Sequence, residues 1–286
     1  MTIALEHTAD QAAGLRRLLQ PAVPRMIAFC SAPHAGRSVL CAGFAGALAR
    51  AGQRVLMLDC AEAGAAVHLG APGRPDLMDA ARAGLGLREL VAPAGARVSV
   101  VRAGRAFRNL GLASAPDRER LARLLAAARR ESDCVLLDTA SDAAALATEC
   151  SELVLVMQPH PESMLDSYRL LKRMAGRLTG RAVLVLVNRA RAGVPSMQFF
   201  GNLSATARQF LGIALEFGGE IPEDDSVQRA SSLKQPVVEV FPGSPAARAI
   251  RTCALQLLGR DGAQAPSVEA FVGRLSAKIA MQRSHA

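Results

Sequence analysis

The sequence predicts an α/β fold, a single doubly wound, mostly parallel sheet flanked by helices, and three observations carry that expectation. Short continuous runs of Val, Leu and Met, such as residues 26–30 (MIAFC) and 54–59 (RVLMLD), lack the alternation of a half-exposed strand. They therefore mark strands covered on both faces. Helical stretches separate these runs by short links, and a strand–helix–strand unit of that kind demands parallel pairing. Half of the 286 residues are apolar, enough for one large core. Aromatics make up only 3%, so Ala, Leu and Val must fill it.

The first strand, 26–30, runs into the turn Ser31-Ala32-Pro33-His34-Ala35-Gly36. An alanine-rich helix follows over 37–51, with Gly52 suited to its C-terminal cap. The second strand is 54–59. Residues 97–102 read as the next strand, 116–130 as a helix, and 134–138 (CVLLD) as a strand ending in Asp138. Strands at 153–158 and 182–188 complete the run, with helices centred near Leu170 and Ala207 between and after them. Sheets of this kind bind ligands at the carboxyl ends of their strands. Asp59 and Asp138 both close strands, so they should crowd one rim together with the turn after the first strand.

Composition narrows the function classes. The formal charge is +9, with a pI near 10.1, which permits contact with nucleic acid or an anionic membrane and equally suits a solvated surface. Of the 34 basic residues only Lys172, Lys234 and Lys278 are lysines, so Arg in a place that usually holds Lys is less surprising here. The six cysteines (Cys30, Cys41, Cys60, Cys134, Cys150, Cys253) have no C-x-x-C spacing and sit in or beside apolar runs. That suits small core residues in a reducing compartment. The N-terminus carries Glu6 and Asp10 without a continuous apolar stretch, unlike a signal peptide. No apolar run approaches the ~18 residues of a spanning helix. The expected location is cytoplasmic.

Residues 31–38 (SAPHAGRS) stand where a phosphate loop G-x-x-x-x-G-K-[ST] belongs, after a strand and opening a helix. A working loop needs glycines so that backbone N–H groups turn towards phosphate, a lysine for the outer phosphates and a hydroxyl on magnesium. Gly36 and Ser38 are present; Arg37 replaces the lysine and Ser31 the first glycine. Asp138 suits magnesium held through water, and Asp59 suits orienting a nucleophile. The same residues also fit an ordinary strand–turn–helix link, with each aspartate capping a loop or pairing with an arginine.

Several stretches together resemble the MinD/ParA group of deviant phosphate-loop ATPases, and within it the flagellar-number regulators of the FlhG/FleN type. Residues 10–16 (DQAAGLR) are similar to the N-terminal motif of those regulators, and 50–59 (RAGQRVLMLD) to the entry and second strand of the family. Residues 151–174 resemble the segment after the magnesium aspartate, and 210–241 the C-terminal part. The likeness covers roughly residues 10–280. It implies a MinD-like fold of the P-loop NTPase class, ATP and Mg²⁺ as cofactors, and a nucleotide-switched homodimer. It also implies peripheral attachment to the inner membrane surface through a C-terminal amphipathic helix, and partnership with an FlhF-like GTPase of the signal-recognition-particle type. By carry-over, Gly36, Arg37 and Ser38 meet phosphate, Ser38 and Asp138 serve magnesium, Asp59 lies beside the attacking water, and Asn188 touches adenine. Arg37 and Asp59 would be the catalytic pair.

The departures from that family pattern fall in the chemistry. The family loop K-G-G-x-G-K-[ST] is here Ala32-Pro33-His34-Ala35-Gly36-Arg37-Ser38, so the first lysine and two glycines are gone. Proline has no N–H to donate, and both new side chains need space. Arginine keeps the charge in a larger, planar group. The second acid of the family's D-x-D is Ala61, and a glycine after the magnesium aspartate is Asp142. Each lost charge-assisted contact costs about 1.5–3 kcal/mol, so two or three losses weaken binding by a few powers of ten. The expectation is weak nucleotide binding if any, and no efficient hydrolysis.

The two ends read as attachments. Residues 1–24 form an arm whose Asp10, Gln11, Leu15 and Arg16 belong to the partner motif, expected to dock on the FlhF-like GTPase; residues 25–259 form the phosphate-loop domain. Residues 260–266 read as a linker and 267–286 as a helix N-capped by Ser267. Val268, Phe271, Val272, Leu275 and Ile279 fall on one face of it. After a flexible linker, that face fits reversible membrane attachment, and it also fits a closing helix packed on the sheet. The reading is a binding regulator of flagellar number or placement that acts through the GTPase, the membrane and flagellar switch or regulator proteins. One alternative is a slow ATPase of the same family. The other is a ParA-like DNA-partition protein, to which the N-terminal motif does not point.

Overall fold

A computed structural model describes residues 24–61, 64–139, 144–178, 180–260 and 267–283, with the side chains of 144–145 and 278–283 outside the description. Asp10, Gln11, Leu15 and Arg16 of the N-terminal motif, Asp142, residues 261–266 of the expected linker and the Ile279 side chain therefore lie outside the described residues.

The chain opens with β1 (Arg25–Ser31), α1 (Arg37–Arg50) and β2 (Val55–Asp59). Three short helices follow, α2 (Ala65–His68), α3 (Leu77–Ala83) and α4 (Leu87–Leu90). Then come β3 (Ala92–Pro93), β4 (Val98–Arg102), α5 (Gly104–Asn109), α6 (Ala115–Arg130), β5 (Cys134–Asp138) and α7 (Ala144–Ala147). The second half adds β6 (Glu152–Met157), α8 (Pro161–Met174), β7 (Ala182–Ala190), α9 (Ser196–Leu211) and β8 (Ala214–Pro222). It closes with α10 (Asp225–Ser232), α11 (Val237–Val240), α12 (Pro245–Leu258) and α13 (Val268–Arg283).

The strands form one sheet in the order β3-β4-β2-β5-β1-β6-β7-β8. Every neighbouring pair is parallel except the antiparallel β3–β4 contact. From central β1 the chain builds towards one edge, returns through β5, and then builds the other half. This is the doubly wound fold that the apolar runs predict. The turn after β1 thus opens between β5 and β6, where ligands of such sheets bind.

Because side chains alternate along a strand, each strand feeds two cores. Met26, Ala28 and Cys30 of β1 face one, with α6, α8, α9 and α13 over it. Ile27 and Phe29 face the other, beneath α1 and α12. All six cysteines lie buried in these two layers, as small core residues should. The alanine and glycine content of α1 serves close packing: a side chain at Gly46 would strike Val238 and Pro236.

The sequence did not reveal β8. Its glycine pair, Gly218 and Gly219, reads as loop, yet the segment pairs in parallel with β7 through a register shift at Val185/Leu186.

Candidate functional site

The ladder between β2 and β5 sets Asp59 directly opposite Asp138, and that between β1 and β5 sets Phe29 opposite Asp138. Two carboxylates expected at one rim are therefore neighbours there, beside the turn that follows β1. Asp138 is fully buried and Asp59 nearly so.

The turn adopts left-handed backbone at two positions. Gly36 has φ +85 and His34 φ +64, both left-handed. A glycine adopts that shape freely, whereas at His34 a bulkier residue holds it, at a cost of about 1–2 kcal/mol. Its side chain and that of Pro33 are exposed, while Ala32 and Ala35 are buried. The loop carbonyls are tied down. Asn188 Nδ2 donates to the Ala35 oxygen at 2.8 Å, and Gln158 Nε2 donates to the His34 oxygen at 2.7 Å. A side chain at Gly36 would collide with the Asn188 amide. Asn188, which carry-over places at adenine, is in this structure a buried clamp on the loop.

Arg37 does not reach outward. Its Nε donates to Asp138 Oδ1 at 2.5 Å, and its Nη2 lies 3.4 Å from Ser38 Oγ. The guanidinium side chain is 12% exposed and the Asp138 carboxylate 0%, so this is a buried ion pair. The second Asp138 oxygen accepts from the Ala65 amide at 2.8 Å. Asp59 accepts from Ala61 N at 3.2 Å and from Ala66 N at 3.1 Å. Backbone at 64–66 can come this close because residue 64 is glycine: a Cβ there would fall inside the Asp59 carboxylate and against Asp138. Burial, and then the Asp138 charge alongside, push the Asp59 carboxyl up to about 6.

Magnesium would need Ser38 Oγ and an oxygen of Asp138. In this arrangement both Asp138 oxygens are engaged, one by a cation, and Arg37 stands across the hydroxyl as well. The donor set as folded does not fit the ion unless Arg37 leaves. It can do one thing well, which is to neutralise Asp138 with Arg37.

The sequence located Gly36, Arg37, Ser38, Asp59, Asp138 and Asn188, and the fold brings all six to one rim. It missed Gln158 and the Ala65 and Ala66 amides. A polar residue directly after β6 and a glycine shortly after a strand-ending aspartate were the available signals.

The C-terminal helix lies elsewhere. Phe271, Val272 and Leu275 are buried at 0%, 4% and 1% exposure in the core under α6 and α7. Phe271 meets Phe107 edge-on at 5.8 Å, and Arg274 Nε donates to Glu149 at 2.6 Å. This corrects the expectation of an apolar face open to membrane for these three residues. The apolar face of the helix serves a closing contact, and Ser267 caps its first turn by accepting from Ala270 N at 3.1 Å. Among the described residues no helix is long and apolar enough to cross a membrane.

No family model matches the chain. It is 29% identical over 228 residues to the antiactivator FleN of Pseudomonas aeruginosa, covering 77% of this chain and 80% of that one. The cell-division protein MinD of Aquifex aeolicus superposes with a TM-score of 0.64 at 18% identity, over 83% of this chain and 98% of that one. MinD of Pyrococcus horikoshii, solved with Mg-ADP, gives 0.64 at 18% identity, over 82% and 96%. The chain thus has the fold of MinD-type phosphate-loop ATPases and resembles the MinD/ParA group, FlhG/FleN regulators included, in sequence.

Proposed function

We propose that this chain, a relative of the antiactivator FleN on a MinD-type fold, is a binding regulator of flagellar number or placement whose nucleotide site is held shut by its own residues. The observation that carries the reading is the buried Arg37–Asp138 pair, with amides of Ala65 and Ala66 on the neighbouring oxygens. A nucleotide with Mg²⁺ must compete with Arg37 for Asp138, and it meets a loop lacking both lysines and two of the glycines of the family pattern. Regulation then runs through protein contact. The DQAAGLR segment is the docking element for an FlhF-like GTPase, and flagellar switch or regulator proteins are the further listeners. With three residues of its apolar face committed to the core, α13 supports membrane attachment poorly, so the reading rests on protein partners.

Calorimetry and a capture assay test this directly. Mg-ATP should bind at least about a hundredfold more weakly than to a relative with an intact phosphate loop. The cognate GTPase should be captured by the full chain and lost when residues 10–16 are removed. Tight ATP binding with turnover that disappears in Asp138→Ala would restore the slow-ATPase reading instead. Capture unaffected by the deletion would end the docking assignment.

A further inference from the structure

Beside Asp59, a cavity of about 260 Å³ opens that shares no residue with the loop at 31–38. It sits at the carboxyl ends of β2 and β4, where Asp59 stands opposite Arg102 on the ladder. Four arginines line it, Arg74, Arg102, Arg105 and Arg108, along with Asp59 and Asp76.

The carboxylates of this cavity are committed to backbone. Asp76 Oδ1 accepts from Met78 N at 3.0 Å and Ala106 N at 2.9 Å, and its Oδ2 accepts from Arg105 N at 2.9 Å. Both Asp59 oxygens accept from amides, as above. Arg105 is paired with Asp79 at 2.6 Å. Arg74 and Arg102 differ: among the described residues, neither makes a hydrogen bond or a close ion pair, both are exposed, and the charge of Arg102 acts on the Asp59 carboxyl only as a lesser influence than burial and Asp138. Four guanidinium-bearing residues outnumber the two carboxylates that line the cavity, and the planar forks of arginine match phosphate oxygens in pairs. A cavity this size has room for a phosphate or diphosphate and lies just below the ~300–1,000 Å³ of sites for larger ligands.

We propose that this cavity is an anion site that takes a small, free phosphate-bearing ligand of phosphomonoester or pyrophosphate size, gripped by Arg74 and Arg102. It is independent of whether the phosphate loop binds nucleotide, because the two sites have different donors.

Inorganic pyrophosphate titrated into the full chain at physiological salt is the test, followed by calorimetry and by amide chemical shifts. One saturable site per chain is expected, with shifts centred on Ala61, Gly104 and Arg105. An Arg74→Gln/Arg102→Gln double variant, which keeps its fold because both side chains are exposed, should bind about a hundredfold more weakly. Absence of saturable binding, equal affinity in the double variant, or shifts centred on Gly36 to Ser38 would each overturn the assignment.

Discussion

At Arg37 a charge that a phosphate would meet in an intact loop meets Asp138 at 2.5 Å instead. Removing one member of a buried pair leaves the other uncompensated, which costs more than the pair contributes as a whole. Arg37→Ala should therefore lower stability by about 3 kcal/mol at neutral pH, read from the urea midpoint. A change near zero would mean that the carboxylate finds water and the site stands open. Asp59 gives the opposite sign. Its carboxyl, raised to about 6 from 3.8, binds its proton more tightly folded than unfolded. Stability is then full below the unfolded value, falls as pH rises through about 6, and stays reduced above. Asp59→Asn removes that penalty but weakens one amide contact, so a net gain of about 1–2 kcal/mol is expected at pH 7, fading towards pH 4. Unfolding midpoints that differ equally at both pH values would contradict it. The presence of a charge at 37 was legible in the sequence; its direction was not, since an arginine side chain long enough to reach a ligand is also long enough to fold back.

Among the elements, α13 shows how one amphipathic pattern serves two ends. Val268, Phe271, Val272 and Leu275 at helical spacing are equally suited to a bilayer or to a groove, and periodicity cannot choose between them. The groove between α6 and α7 chooses. Phe271→Ala should cost about 3–5 kcal/mol, the range for emptying a filled aromatic site in a core. Thermal denaturation showing a loss under about 1 kcal/mol would place the helix outside the core and reopen the membrane reading. Strand β8 illustrates the other failure. Its glycines at 218 and 219 carry no strand signal, and pairing with β7 overrides that local preference through a shifted register.

Over the whole molecule, the sheet, its parallel pairing and the rim shared by Asp59, Asp138 and the loop follow from apolar runs ended by acids, because parallel crossovers leave few topologies. The MinD-type likeness was legible too, in separated stretches that no composition argument supplies. What the sequence determined by itself was an inventory: which strands are buried twice, which residue types reach the sheet's carboxyl rim, and which family donors are missing from the loop. What only the tertiary structure decided was how those residues are spent. Arg37 turns onto Asp138, the Ala65 and Ala66 amides fill the neighbouring oxygens, Asn188 clamps the loop, Phe271 enters the core, and four arginines line one cavity. Most of these join residues far apart in the chain, and the physical reason is that local pattern specifies which face is apolar or charged, whereas only packing specifies what that face meets.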